Sequence, residues 1–518
     1  MRKQTLFVLL LLLSTVHTGA SEEGFHLSRD AKSLPTLKDL SFGLPGDLGE
    51  ISFYGQDRWR WHLWNYFEAE PFDNTYDYFS NQLRLGARLE NSILKAHTAW
   101  QYSHVWLLPT GTSTGAGSGS LYFANGTTDN ETHGTYLKYA EIHSKDITGL
   151  GLTAGGGRMD YSSGNRYVTG TGKGASKEDA DSVVTKKIQW LKSTRVAERM
   201  IGGFGWSEYQ RSFDGGYSAW DHEKFNFQFV AMNPTQGGFD ENANHTIYDI
   251  DILASELTLK KGTLLPDGEL QMFYYSYADS RQMTAATTRR DNTGRTVPIN
   301  LEYDVDVEMI GGHLVGASTL GDGMLDYLVW GGYQYGNWFE LDHSAYALAA
   351  EAGYQWKNIP WKPWIRAGYN MGSGDSDPQD QDHGTFYQML PTGRLYSFSI
   401  LYNMMNTEDT FVSLILKPVE ALTVRSDVHW VDLAEKSDRW YLGAGEITDG
   451  NAAGYAVRSS NNENNLGTLL DISASYKICP QATVSLYYGH FFGSDVVEKF
   501  YIKNHDADFF YTEVTITF

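Results

Sequence analysis

The chain has 518 residues, a formal net charge of −22, a single cysteine, and 53 glycines beside 33 tyrosines, 25 phenylalanines and 15 tryptophans. The negative balance argues against nucleic acid or anionic lipid as a partner, and the lone Cys479 excludes an internal disulfide. So much glycine and aromatic surface, with a negative mean hydropathy, suits short strands at a boundary better than a helical enzyme.

Residues 1–20 open on Arg2 and Lys3, continue as an apolar run from Leu6 to Leu13 and close on small residues. They read as a secretory signal, too short to be a membrane span. Residues 21–46 read as a short periplasmic segment, and 47–518 as one β-barrel. No long apolar run after Ala20 predicts a transmembrane helix. From residue 49, segments of roughly 10 residues alternate apolar and polar side chains between turn signals, the pattern of strands that cross a membrane. DRWRWHLWNYF sets Trp59, Trp61 and Leu63 against Arg58, Arg60 and His62. QLRLGARLE sets its leucines against Arg84 and Arg88, and ILKAHTAWQY sets Leu94, Ala96 and Trp100 against Lys95, His97 and Gln101.

Short connections at 90–92, 147–151, 221–224, 320–323, 358–362, 418–421 and 479–482 alternate with long polar stretches at 106–135, 162–208, 281–299, 373–397 and 435–464. Short turns on one side and long loops on the other predict an all-β, transmembrane antiparallel barrel of about 18 strands. Its periplasmic turns are short and its extracellular loops long. The chain ends FFYTEVTITF, alternating to its last residue, so the last strand is expected to pair with the first and leave no edge in lipid.

The side facing the lumen decides what such a barrel does. The reading gives it a basic wall of Arg58, Arg60, Arg84, Arg88, Lys95, Arg158 and Arg211. An acidic wall follows from YDIDI (Asp249, Asp251) and LEYDVDVEM (Asp304, Asp306, Glu308), and TVRSDVHW adds Arg425, Asp427 and His429. Fixed charges inside a pore select solutes by field and hydrogen bonding, and arginine forks suit carboxylates. Asp375, Asp377, Asp380 and Asp382 crowd one loop with oxygen ligands that calcium would accept. Without a closing bidentate Glu, a solvated acidic turn is the preferred reading and no cofactor is expected. Cys479 reads as incidental. No Ser/His/Asp set, zinc spacing or phosphate loop predicts an enzyme.

RMIGGFGWSEYQRSFDGG (199–216), preceded by GGGRMDYSSG (155–164), resembles the alginate-export family of outer-membrane barrels. GSGDSDPQDQDHGTFYQMLPTG (372–393), TVRSDVHWVDL (423–433), NLGTLLDI (465–472) and GHFFGSD (489–495) continue the resemblance in family order. It implies a monomeric 18-stranded barrel, built by the outer-membrane assembly machinery and held in outer-membrane lipid. It also implies passive passage of an anionic polysaccharide or related solute. Carried over by position, Arg58, Arg60, Arg158, Arg199, Arg211 and Arg425 are the matched basic residues, and Asp214, Asp427 and His429 their partners. Residues 165–198 look like an insertion in the first motif, able to fold into the mouth as a lid or to stay outside. A general uptake porin and a non-conducting surface receptor or adhesin are the alternatives.

Overall fold

The computed structural model describes residues 41–518 except 70–71, 114, 127–128, 282–304, 393–396, 444 and 449–454. The described residues belong to one compact unit. The expected signal segment, most of the 21–46 segment and Asp304 therefore lie outside them.

Eighteen strands form the wall. In the first third these are β1 Glu50–Asn65, β2 Thr75–Glu90, β3 Leu94–Trp106, β4 Glu131–Ser144, β5 Leu152–Met159 and β6 Phe213–Asp221. Next come β7 Phe225–Pro234, β8 Ile250–Leu259, β9 Gly268–Asp279, β10 Val305–Leu320, β11 Gly323–Trp338 and β12 Leu341–Trp356. The last are β13 Trp364–Gly372, β14 Thr407–Val419, β15 Leu422–Asp432, β16 Asn465–Cys479, β17 Ala482–Gly493 and β18 Ala507–Thr517. Each pairs antiparallel with its neighbours, and β18 pairs with β1 from Gln56↔Thr517 to Asn65↔Asp508, so the barrel is closed. At the seam the Gly55 amide donates to the Phe518 carbonyl at 2.7 Å and the Phe518 amide donates back at 3.0 Å. A Cβ on Gly55 would fall 2.3 Å from the Phe518 ring, so only glycine admits the terminal aromatic there.

All seven expected short connections are tight turns of one rim, and a further one lies at 260–267. Strand periodicity sorts the side chains as expected around the middle of the wall. Trp59, Trp100, Trp220, Phe229 and Trp430 are exposed on the outer face, where lipid covers them. Arg58, Arg60 and His62 are buried on the inner face.

Towards the long-loop rim this polarity inverts. β10, β11 and β12 are each 16 residues long, against the roughly 9–11 a bilayer needs, so their ends stand beyond the membrane. There the outer face meets water, and the inner face meets loop side chains that fill the barrel. Val305, Val307 and Met309 point inward into a core shared with Trp338, Tyr387 and Met389. Asp306 and Glu308 therefore point outward, beside the exposed Ile310. Likewise Ile250 and Ile252 are buried inside, while Asp251 faces out with Leu253 and Asp249 is exposed in the preceding connection. The expected acidic pore wall is thus an acidic outer collar at Asp249, Asp251, Asp306 and Glu308. Alternation alone could not tell a wet outside from a wet inside.

Candidate functional site

The insertion folds into the barrel. Residues 160–212 leave β5, run through the lumen and return to β6. Ser182 caps a helix at Val183–Leu191 by accepting the Thr185 amide at 3.1 Å. The helix buries Ile188 and Leu191, and a single π-helical turn, Lys192–Val196, follows. Its basic side chains end on carboxylates of the far wall. Lys192 pairs with Glu269 of β9, and Arg195 grips Glu351 of β12 through Nε and Nη2 at 2.8–3.0 Å. Glu351 also accepts from Arg366 of β13 at 2.9 Å. Ahead of the helix, Glu256 of β8 accepts the Tyr161 hydroxyl at 3.1 Å and the Gly164 amide at 2.8 Å.

A second anchor holds the loop's return to the opposite wall. Glu208 is 1% exposed. Its carboxylate accepts from Arg58 at 3.0 Å, Arg60 at 3.1 Å and the Ser80 hydroxyl at 2.9 Å. Its carbonyl accepts from Gln82, Gln101, Ser103 and Tyr136, and its amide donates to the Tyr122 hydroxyl. Arg58 further donates to the carbonyls of Gly205, Trp206 and Ser207. Arg84 reaches Gln101 and the loop's Gln210. Much of the basic wall is therefore a clamp: its guanidiniums hold loop carbonyls and one buried carboxylate.

Between the loop and the β14–β18 wall lies a basin of about 600 Å³. Trp190, Trp206 and Phe398 give it aromatic faces, and Ser193, Thr194, Thr423, Ser473, Ser475 and Ser485 give it hydroxyls. Arg60, which also pairs with Glu513, and Arg425 are its cations. Arg425 lies with Cζ 5.6 Å over the Phe398 ring and its Nε 2.6 Å from Asp427. No hydrogen bond within the described residues engages its two terminal nitrogens, which form the outer edge of the fork. Glu198, half-buried in the loop, has its carboxyl pushed up to about 7 by burial and then by the neighbouring Asp160.

The remaining expected residues scatter. Arg199 and Arg211 are inside but packed within the loop system: Arg199 bonds the Arg195 carbonyl and Asn370, and Arg211 bonds the carbonyls of Gly202, Leu390 and Gly445. Arg88 stacks 4.4 Å from the Tyr54 ring near the turn rim, where Lys95 pairs with Glu90 in solvent. Arg158 and Asp214 are not in the pore. They pair at 2.7 Å on the outer face, because Met159 and Phe213 take the inner one. Asp427 and His429 are buried in the lumen wall. In the acidic loop, Asp375, Asp377 and Asp380 accept the amides of Asp377, Gln379 and Asp382, so these carboxylates brace their own turns.

Sequence reasoning missed Glu208, Glu351, Arg195 and Lys192. Glu351 had a signal, a lone acid in the alanine-rich ALAAEAG at a position whose neighbours i±2, Ala349 and Gly353, leave room for a long partner. Glu208 sits inside the motif GWSEYQRS but carries no periodicity to mark it.

Residues 189–508 match the family described as alginate export. No curated protein sequence matches the chain. Solved structures share the fold at low identity. OccAB1 of Acinetobacter baumannii aligns with a TM-score of 0.53 at 9% identity, over 93% of this chain and 99% of that one. OccK2 (OpdF) of Pseudomonas aeruginosa aligns with 0.51 at 8%, over 90% and 97%. OpdK of Pseudomonas aeruginosa, solved with vanillate, aligns with 0.50 at 9%, over 90% and 98%.

Proposed function

Because the chain belongs to the alginate export family, we propose that this integral outer-membrane channel passes acidic saccharides through the lumen beside its inserted loop. The observation that carries the reading is Arg425. Its guanidinium is pre-oriented by stacking on Phe398, and the outer edge of its fork is turned to a basin lined with hydroxyls and indoles. A sugar ring offers apolar C–H faces to aromatics and hydroxyls to Ser and Thr, and a uronate adds the carboxylate that a guanidinium holds in two bonds. The field of the basin is nearly balanced, since Glu198, Glu513 and Asp427 stand beside Arg60 and Arg425. Selection for acid in this reading comes from the fork, at contact range, and not from a long-range positive potential. The working unit is one chain, because β18 closes on β1 without a neighbour, and that terminal strand is what the barrel-assembly machinery would receive.

The test is single-channel recording in a planar bilayer under a salt gradient, with oligo-uronates and neutral oligosaccharides of matched length. Block by uronates that weakens about tenfold in Arg425→Ala supports the reading. Equal block by both sugars would make this a general saccharide channel, and conductance without block by either would make it a plain porin.

A further inference from the structure

We propose that Asp427, His429 and Asp471 bind one divalent transition-metal ion in the lumen wall. Asp427 and His429 are two residues apart on β15 and so share a face. Asp471 of β16 lies directly across the ladder from Asp427. All three side chains are at least nine-tenths buried, and one ligand atom from each lies within 4.8 Å of the other two.

Three independent features point to a cation. First, the imidazole is oriented as metal-bound imidazoles are: Nδ1 lies 2.9 Å from the Asp409 carboxylate of β14 and 3.0 Å from the Tyr402 hydroxyl, and a ring proton donated to that carboxylate leaves the lone pair on Nε2. Second, among the described residues, no hydrogen-bond partner meets the buried His429 Nε2 or Asp427 Oδ1. Buried polar atoms are rarely left so, and an ion would satisfy both at once. Third, the local charge has the right excess. Asp409, Asp427 and Asp471 face one guanidinium, that of Arg425 at 2.6 Å from Asp427 Oδ2, so carboxylates outnumber the guanidiniums in contact with the group. Arg195, the other cation that feels Asp409 and Asp427, is held 2.8 Å from Glu351, a carboxylate it shares with Arg366. Asp471 is steadied by the Tyr487 hydroxyl.

One imidazole nitrogen and two carboxylate oxygens make a set for zinc, cobalt or manganese, with water completing the shell. Calcium takes about six to eight oxygens and would be underserved. Ligands about 2.0–2.2 Å from a tetrahedral ion lie about 3.4 Å apart, so closing the site takes a shift of about 1 Å at most in side-chain position. The site is distinct from the acidic 375–382 loop.

The full-length barrel in detergent, stripped with chelator, is titrated with Co2+ and then Zn2+. Bound metal is counted by elemental analysis and its ligand field read from visible absorption. We expect one tightly bound ion per chain and displacement of Co2+ by Zn2+. The band should be lost in His429→Gln, and binding at least about thirtyfold weaker in Asp471→Asn. Asp380→Asn should bind as the native chain does. Near-UV circular dichroism selects folded preparations, and Asp471→Asn carries the test if His429→Gln does not fold. No stoichiometric binding by the native chain, or binding indifferent to both variants in the wall, overturns the proposal.

Discussion

Replacing Glu208 with alanine removes the one carboxylate that joins Arg58 and Arg60 to the inserted loop. Arg60 keeps Glu513, but Arg58 is left with backbone carbonyls alone in a site where it is 6% exposed. Breaking a buried ion pair by deleting one partner costs about 3–5 kcal/mol, because the surviving charge remains desolvated. The loop's other anchors on Glu269 and Glu351 do not depend on Glu208. The loss should therefore fall on the stretch 204–210. At about 1.4 kcal/mol per factor of ten, the closed-to-open ratio of that stretch should drop by a factor between about 10² and about 4 × 10³. Glu208→Gln keeps an acceptor and should lose about half as much. Hydrogen exchange of the 205–210 amides measures the opening directly, and planar-bilayer conductance should rise in the order native, Gln, Ala. Unchanged exchange and conductance in Glu208→Ala would show that the carbonyl contacts hold the loop by themselves, and the clamp reasoning would be wrong.

The Glu198 carboxyl, near 7 when folded against about 4.3 when unfolded, makes the folded loop bind the extra proton between those values. By linkage its stability falls as pH rises through 7 and recovers on acidification. Anion preference in a salt gradient should then be greater at pH of about 5.5 than at about 8, and Glu198→Gln should flatten the difference. Deleting Phe518 removes the two seam hydrogen bonds to Gly55, worth about 1–3 kcal/mol together, and leaves the Gly55 notch unfilled. Thermal unfolding in detergent should come earlier, and less protein should show the compact unboiled mobility on gels. Arg158→Ala should leave ion selectivity unchanged within error, whereas Arg425→Ala should lower anion preference, since only the latter borders the basin. Reversal potentials in the same gradient separate the two.

Legibility in the sequence followed what the bilayer enforces. Where lipid presses on the wall, as at Trp59 and Trp61 against Arg58 and Arg60, period-two alternation named the correct inner face. Where strands rise clear of lipid, as at Val305–Glu308, the same alternation named the wrong one, because the driest environment there is inside. Connection lengths were legible for a related reason, since turns at the periplasmic rim have little to do but reverse the chain. The site was legible residue by residue but not as an arrangement. Arg58, Arg60 and Arg425 stood out, yet nothing in their spacing says that the first two hold a loop and the last two border a basin. That depends on where 160–212 goes, and its path is set by pairs such as Arg195–Glu351 and Arg58–Glu208, separated by about 150 residues.

The loop's two anchors have a consequence for how the barrel is made. One fastens to β1 and β2, and the other to β9 and β12, with Arg199 reaching Asn370 of β13, so a single length of chain is tied across the diameter of the cylinder. A sheet closed first would have to admit this folded bulk through its mouth. A sheet wound around it meets each tie in turn, ending at the Gly55–Phe518 seam. The insertion is then a mandrel: it sets the bore while the wall is rolled and stays in place as part of the finished tube.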